Sequence, residues 1–124
     1  MRLLSPSLLL LLLLSLPLTL AKPSTLFATH YNGNVFTLTL NDNKLSLAST
    51  ADTCGSMPSW LTLDAASRTL YCTDETASKG SETTLSVDDD GKLAETAVAK
   101  DVGGGVNSVF YTGEGEKRFL AVAH

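Results

Sequence analysis

Apolar and polar residues alternate in short runs along most of the chain after residue 21. These runs are Phe36–Leu40, Leu45–Leu47, Trp60–Leu63, Leu70–Thr73 and Thr84–Val87. A period of two residues places successive side chains on opposite faces of a sheet, so each run predicts a half-buried β-strand. Ala94–Lys100 contains helix-forming residues, but it follows a hairpin signal and lacks an N-cap residue. We therefore expect a further strand there.

Turn-forming residues separate the alternating runs. They are Asn32-Gly33, Asn41-Asp42-Asn43, Asp89-Asp90-Gly91 and Gly113-Glu114-Gly115. Asn-Gly and Asp-Gly tolerate the positive φ angles that tight hairpins need. No segment shows an apolar stripe at helical spacing, so the sequence predicts an all-β fold built from hairpins.

The chain also repeats itself. "LFATH" (26–30), "LYCTD" (70–74) and "LAVAH" (120–124) occupy equivalent places, and "PSWLTLDAASRTLY" (58–71) matches "NSVFYTGEGEKRFLA" (107–121). The offsets between equivalent residues lie between 44 and 50. Four short strands per repeat at this period are typical of β-propeller blades. Chance similarity between short strands is the alternative.

The repeat assigns an order to the strands. Pro58–Asp64, Arg68–Asp74, Thr83–Asp88 and Lys92–Ala99 are the first to fourth strands of one complete blade. Three strands precede this blade and two follow it, which gives a partial propeller of about two blades. Such a set does not close a ring. We therefore expect residues 22–124 to be the N-terminal blades of a longer propeller, truncated at the C-terminus.

The first 21 residues have the pattern of a secretory signal peptide. Arg2 supplies the positive end and Leu8–Leu14 the apolar run. Thr19-Leu20-Ala21 gives small residues at the two positions that a signal peptidase reads. Cleavage after Ala21 would give a secreted, extracellular chain of 103 residues with a net charge of about −5. A retained amphipathic anchor is the alternative. An acidic chain without a basic cluster has no electrostatic reason to bind nucleic acid or an anionic membrane.

Several motifs together resemble a known family. "CGSMPSWLTLD", then "LYCTDE", a triple glycine and "LAVAH" are similar to the start of secreted fungal members of the lactonase family of seven-bladed propellers. The resemblance covers residues 25–124. It implies activity on small carboxylated lactones or sugar acids, as in six-phosphogluconolactonases and carboxy-cis,cis-muconate lactonising enzymes (cycloisomerases). The family's His-x-His, Asp-Pro-x-Gly and arginine-bearing segments belong to later blades, so we expect this chain alone to be inactive.

Topology brings the candidate ligand residues to one face of the propeller. In an up-and-down blade, the loop after each second strand shares a face with the crossing to the next blade. His30, Asp74, Glu75 and His124 leave second strands on this side. The structural alternatives are that Asp74-Glu75 begins a solvated loop, and that each histidine side chain hydrogen-bonds to the backbone of a loop. The functional alternative is that the histidines bind a substrate carboxylate or polarise a lactone carbonyl.

No cofactor or metal is expected. The histidines and cysteines lack zinc-ligand spacing. Asp88-Asp89-Asp90-Gly91 lacks the alternating ligands and distal glutamate of a calcium loop. Gly103-Gly104-Gly105 is followed by neither a Lys-Ser/Thr pair nor a helix, so it does not predict a nucleotide loop.

Cys54 and Cys72 are the two cysteines, and the secretory route is oxidising. Cys54 precedes a first strand, and Cys72 lies in the second strand that pairs with it. Contact is therefore possible, and a disulfide is expected. The alternative is a buried Cys72 beside a loosely held Cys54.

Three functional hypotheses follow from the sequence. The first is a lactonase-like enzyme fragment, and the second is a secreted propeller that binds ligands without catalysis. The third is a free-standing small secreted β-module. Further repeats in the gene after His124 would exclude the third, and cationic residues on the shared face of those repeats would favour the first.

Overall fold

The computed structural model describes residues 22–100 and 103–124, and the predicted signal peptide lies outside these residues. Nine β-strands follow one another along the chain. They are β1 (Ser24–Thr29), β2 (Asn34–Asn41), β3 (Lys44–Asp52), β4 (Pro58–Asp64), β5 (Thr69–Asp74), β6 (Ser81–Val87), β7 (Leu93–Lys100), β8 (Asn107–Thr112) and β9 (Arg118–Ala123). The strand predicted at Ala94–Lys100 is therefore confirmed.

The strands form three antiparallel sheets, in the orders β1-β2-β3, β4-β5-β6-β7 and β8-β9. This confirms the predicted arrangement of three, four and two strands in an all-β partial propeller. We call them the first, middle and third sheets. The second strand of the complete blade begins at Thr69 rather than at Arg68, because Arg68 has a φ of 53° and belongs to the turn. The turn predicted around Gly113-Glu114-Gly115 includes a short 3-10 segment at Glu114–Glu116.

The repeat seen in the sequence extends to details of strand pairing. The β2–β3 ladder changes register between Thr37 and Leu38, and the β6–β7 ladder changes register between Thr84 and Leu85. These bulges occupy equivalent positions in the two sheets. A bulge bends and twists its strand locally, so the two sheets share a shape as well as a strand order.

The hydrophobic core lies between the first and middle sheets. Its fully or nearly fully buried members are Val35, Cys54, Leu70, Cys72, Leu85 and Leu93. Alternation along β5 and β6 turns Leu70, Cys72 and Leu85 toward the first sheet, where Phe27 packs at the margin. Burial of these side chains is the main favourable term that joins the two sheets.

The middle and third sheets meet through a more polar interface. The Ser59 hydroxyl donates to the Gly105 carbonyl at 2.9 Å, and the Thr62 hydroxyl donates to the Ser108 carbonyl at 2.8 Å. The rings of Tyr71 and Phe110 meet edge to face, with centroids 5.2 Å apart. Hydrogen bonds from hydroxyl groups and an aromatic contact thus replace the aliphatic core found on the other side of the middle sheet.

Candidate functional site

Successive loops of each sheet alternate between two sides of the molecule. The turn after β1, the turn after β5, the two crossings between sheets and the final residue all lie on one side. We call this side the loop face, and it comprises residues 30–33, 53–57, 75–80, 103–106 and 124. Neighbouring segments of the loop face contact one another.

The first turn of the loop face packs on the first crossing. The Gly33 carbonyl accepts hydrogen bonds from the backbone N–H groups of Thr53 and Cys54, at 3.1 and 3.2 Å. Gly33 has a φ of 84°, and a Cβ atom there would lie 2.5 Å from the Gly55 carbonyl oxygen. Only glycine permits this close approach of the two backbones.

Asp74 fastens the crossing to the end of β5. Its Oδ1 accepts hydrogen bonds from the Met57 N–H at 3.0 Å, the Thr76 N–H at 3.2 Å and the Thr76 hydroxyl at 2.8 Å. The residue is only 3% exposed. A Cβ atom on Gly55 would lie 2.1 Å from Asp74 Oδ2, so the absence of a side chain at Gly55 makes room for the carboxylate. Asp74 is therefore a buried brace between the first crossing and the end of β5.

Glu75 lies beside Tyr31 of the neighbouring turn. A hydrogen bond to the Glu75 carboxylate, together with its negative charge, raises the pKa of the Tyr31 hydroxyl. Tyr31 is 58% exposed, and the Glu75 backbone N–H is held by the Met57 carbonyl at 3.0 Å. The pair thus places an acid and a phenol together on the accessible side of the loop face.

His30 directly precedes Tyr31 and follows β1, which ends at Thr29. Its backbone N–H donates to the Asn34 carbonyl at 3.2 Å, and its carbonyl accepts from the Asn32 N–H at 2.6 Å. These bonds close the turn through the backbone, and the residue itself is exposed. Its side chain therefore shares a turn with Tyr31.

His124 docks on the second crossing. Its Nδ1 lies 2.8 Å from the Gly103 carbonyl oxygen. A carbonyl can only accept, so Nδ1 must donate, and the neutral imidazole then carries a lone pair on Nε2. Gly103 in turn packs on the loop after β5, where a Cβ atom would lie 2.2 Å from the Ala77 carbonyl oxygen.

A disulfide lies directly beneath the loop face. Cys54 of the first crossing is bonded to Cys72 of β5, with their Cα atoms 6.0 Å apart and both residues fully buried. The bond ties the crossing to the strand that delivers Asp74 and Glu75. The disulfide and the Asp74 brace therefore fix the same two segments in two ways.

Comparison with protein families identifies the family to which this chain belongs. The profile of the family described as "Lactonase, 7-bladed beta-propeller" matches residues 25–124. The chain belongs to this lactonase family. No curated protein and no solved structure gives a significant match.

In this lactonase-family chain, the structure brings two of the four predicted candidates, His30 and Glu75, together beside Tyr31 on the loop face. Glu75 pairs with Tyr31, Tyr31 adjoins His30, and Asp74 lies beneath them as a brace. His124 lies on the second crossing, which packs on the same loop as Glu75. Sequence reasoning missed Tyr31, because a tyrosine before Asn-Gly is ordinary in a turn. It missed the role of Gly55, because Gly55 lies in the first crossing and meets Asp74 at the end of β5, 19 residues later in the chain.

The lactonase-family chain also has a cleft on the side opposite the loop face. It measures about 220 Å³ and lies between the first and middle sheets. Apolar Phe27, Leu63 and Val87 line it, and the ion pair of Arg68 with Asp89 borders it. The cleft lies away from every predicted site residue.

The aspartates considered for calcium form a hairpin turn on this opposite side. Asp88 Oδ1 accepts from the Asp90 N–H at 3.0 Å and from the Lys92 N–H at 2.7 Å. Within residues 22–100 and 103–124, no three His, Cys, Asp or Glu residues are grouped as a metal site requires. No helix in the same residues is long and apolar enough to cross a bilayer.

Proposed function

We propose that the loop face is part of the ligand side of a secreted lactonase-type site for a small carboxylated lactone or its open-chain acid. The six-phosphogluconolactonase and carboxymuconate cyclase types of reaction are the two candidates, as in secreted fungal members of the family. Family membership over residues 25–124 supports the lactone class. The observation that supports the location is the meeting of two loops, where Tyr31, which is 58% exposed, lies beside the half-buried Glu75.

Hydrolysis of a lactone needs a base, a donor to the carbonyl and an acid. Water adds to the carbonyl carbon and gives its proton to the base, and the carbonyl oxygen becomes an oxyanion. The bond to the ring oxygen then breaks, and that oxygen takes a proton. Reversal of these steps closes the lactone of a hydroxy acid. Lactonisation of a carboxymuconate is different: a substrate carboxylate oxygen adds to one carbon of a C=C bond, and the neighbouring carbon, which becomes a carbanion, takes a proton from an acid. Properly placed side chains contribute about 10²–10⁴-fold for each proton transfer.

The loop face offers groups for the base and for the donor to the carbonyl. The Glu75 carboxylate suits the base, since it is accessible beside Tyr31. A His30 ring nitrogen suits hydrogen-bond donation to the developing oxyanion. The single Tyr31 hydroxyl proton is already donated to Glu75, so Tyr31 serves to orient the carboxylate. His124 is held at the second crossing, with its Nδ1 2.8 Å from the Gly103 carbonyl oxygen. Asp74 is excluded from these roles, because its carboxylate is already used to hold Met57 and Thr76.

The negative charge of Glu75 also affects how a substrate would lie. A carboxylate on the substrate would be repelled by Glu75, so the lactone carbonyl should lie toward Glu75 and the carboxylate away from it. Cationic side chains must then hold the carboxylate elsewhere in the ring. The family has seven blades, whereas the described residues form three sheets. We therefore propose that these sheets alone do not turn over a lactone.

A non-catalytic binding scaffold is the second candidate. The observation that favours it is the structural use of Asp74, which leaves Glu75 as the accessible carboxylate of the Asp74-Glu75 pair. Propellers host many functions on one architecture, so the fold itself does not separate the two candidates.

The test compares the 124-residue chain with a version extended to seven blades by sheets from another family member. Both are assayed on six-phosphogluconolactone and on a carboxymuconate. We expect turnover only by the extended version, and we expect Glu75→Gln to lower its kcat by at least about tenfold. Glu114→Gln, in a turn on the opposite side, is the matched control and should leave kcat unchanged.

The possible outcomes distinguish catalysis from binding alone, and they test the role of Glu75. Turnover by the 124-residue chain would contradict the claim that its sheets are insufficient. An extended version that binds the lactone without turnover would favour the scaffold. An extended version whose kcat is the same with Glu75→Gln would remove Glu75 from the mechanism.

A further inference from the structure

A chain of hydrogen bonds runs from the surface of the loop face to the buried Asp74. Ser56 is exposed, and its Oγ lies 2.8 Å from Thr76 Oγ1. The Thr76 hydroxyl donates in turn to Asp74 Oδ1 at 2.8 Å. A hydroxyl group has one proton to donate, and the proton of Thr76 is used by the Asp74 carboxylate. Ser56 must therefore be the donor to Thr76.

This direction of donation leaves the Ser56 oxygen with a lone pair for a ligand but without a proton. Tyr31 is in the same state, because its hydroxyl proton is donated to Glu75. Ser56 bonds to Thr76 and Tyr31 to Glu75, and Glu75 and Thr76 are consecutive residues of one loop. The side-chain oxygens of Ser56, Tyr31 and Glu75 thus form a group of hydrogen-bond acceptors, which we call the acceptor patch.

Other bonds fix the position of the acceptor patch before any ligand binds. Met57, which follows Ser56, donates its N–H to Asp74 Oδ1 at 3.0 Å, and its carbonyl accepts from the Glu75 N–H at 3.0 Å. The disulfide of Cys54 holds the same crossing two residues before Ser56. Because these groups are already ordered, little conformational freedom is lost when a ligand bonds to them.

We propose that the acceptor patch is a subsite for hydroxyl groups of the ligand, in which the oxygens of Ser56 and Tyr31 each accept a hydrogen bond from one ligand hydroxyl. The proposal rests on the proposed function in one respect, namely that the lactone carbonyl lies toward Glu75. The hydroxyl-bearing edge of the ring then lies on Ser56 and Tyr31, and Glu75 remains beside the carbonyl.

The same chemistry determines which ligand groups the subsite rejects. A carboxylate has no proton to donate to these three side chains, and the negative charge of Glu75 repels it. A ring without hydroxyls would leave the ordered oxygens of Ser56 and Tyr31 without bonds to the ligand, and a site built for hydroxyl groups discriminates strongly against such an analogue. The subsite therefore favours a hydroxylated lactone ring over a carboxymuconate, which carries no hydroxyl group.

The experiment measures binding rather than turnover. The isotope-labelled 124-residue chain, expressed in a secreting host, is titrated with methyl glucoside, a neutral ring that carries hydroxyl groups but no lactone carbonyl. The initial slope of each amide shift in nuclear magnetic resonance spectra measures the affinity even when binding is weak. We expect shifts at the amides of Tyr31, Ser56, Met57 and Thr76. Tetrahydropyran, which is the same ring without hydroxyls, and acetate should leave these amides unshifted.

Two variants remove one acceptor oxygen each. Ser56→Ala and Tyr31→Phe should each lower the slope for methyl glucoside by about two- to tenfold, the range expected for the loss of one hydrogen bond. Ser78→Ala is the matched control, because Ser78 is an exposed serine of the same loop as Thr76. It should leave the slope unchanged.

The proposal would be overturned by methyl glucoside that shifts none of these amides, or by slopes that are the same in Ser56→Ala and Tyr31→Phe as in the unmodified chain. Equal shifts with tetrahydropyran would indicate apolar contact, and shifts with acetate would indicate a donor site; either result also contradicts it. Failure of the proposed function is a separate result. A seven-bladed version that hydrolyses no lactone would remove the proposed activity, and methyl glucoside bound at Ser56 and Tyr31 would still establish the subsite.

Discussion

The two sides of the middle sheet are packed by different chemistry. On the side of the first sheet, Leu70, Cys72 and Leu85 are buried and the disulfide joins a crossing to β5. On the side of the third sheet, Ser108 is the buried centre. Its hydroxyl lies 2.8 Å from Thr62 Oγ1 and 3.2 Å from Thr73 Oγ1.

The difference shows that equivalent sheets of a repeat can be joined to their neighbours by two kinds of contact, and that these contacts differ in strength. Aliphatic burial removes apolar surface from water on the first side. Hydroxyl pairs on the second side largely exchange bonds with water for bonds within the protein, so each gives only about 1 kcal/mol net. The first and middle sheets should therefore act as one stable body, and the third sheet should detach first.

The largest expected effect comes from a matched pair of leucines. Leu70 and Leu120 occupy equivalent positions in the repeat, but Leu70 is fully buried whereas Leu120 is only partly buried. Leu70→Ala should lower the free energy of unfolding by about 2–5 kcal/mol, because it opens a cavity in the core. Leu120→Ala should cost clearly less. Urea unfolding measures both, and equal losses would contradict the comparison.

The disulfide should contribute the next largest effect. Cys54→Ser with Cys72→Ser removes a bond across a sequence separation of 18 residues. The chain-entropy model gives a loss of about 3 kcal/mol. Because the bond lies beneath the loop face, the double variant should also loosen the contact of Tyr31 with Glu75. A urea midpoint unaffected by the double substitution would show that the bond adds nothing to the stable body.

Much of the fold could be predicted from the sequence, and part of the site could not. Strands and sheet order follow from local alternation and turn residues, which act within a few positions. The pairing of Cys54 with Cys72 could be predicted from the sequence, because the first and second strands of a blade are neighbours. The use of Asp74 depends on its packing against Gly55, which local pattern does not encode. The pairing of Tyr31 with Glu75 depends likewise on how two sheets stack.

We expect a smaller effect on stability at the interface between the middle and third sheets. Ser108→Ala should lower the free energy of unfolding by about 1 kcal/mol, since a buried hydroxyl between Thr62 and Thr73 is lost. Thr112→Ala is a suitable control, because it alters an exposed hydroxyl in the same strand. Thermal unfolding of both variants checks the value. A loss for Ser108→Ala as large as that for Leu70→Ala would make the two interfaces equivalent.

The smallest expected effect is a loss of stability in acid at the interface between the middle and third sheets. The pKa of Asp64 is lowered, mainly by a hydrogen bond from Ser67 and further by the Arg118 guanidinium, which also lies 4.6 Å above the Phe110 ring. A lowered folded-state pKa means that this stabilisation is present above the usual value of about 3.8 and is lost as pH falls below it. Stability measured from pH 6 to pH 3 should fall less steeply in Asp64→Asn. An unchanged slope would exclude this contribution.

Native-state hydrogen exchange tests the inequality of the two interfaces most directly. It reports the free energy of opening for amides in every strand. Amides of β2, β5 and β6 should show the highest protection, and those of the β8–β9 hairpin should exchange through a lower-energy opening that leaves the other sheets closed. The Ser108→Ala substitution should lower protection in β8 and β9 alone. Equal protection across the three sheets, or the highest protection in β8–β9, would contradict the account.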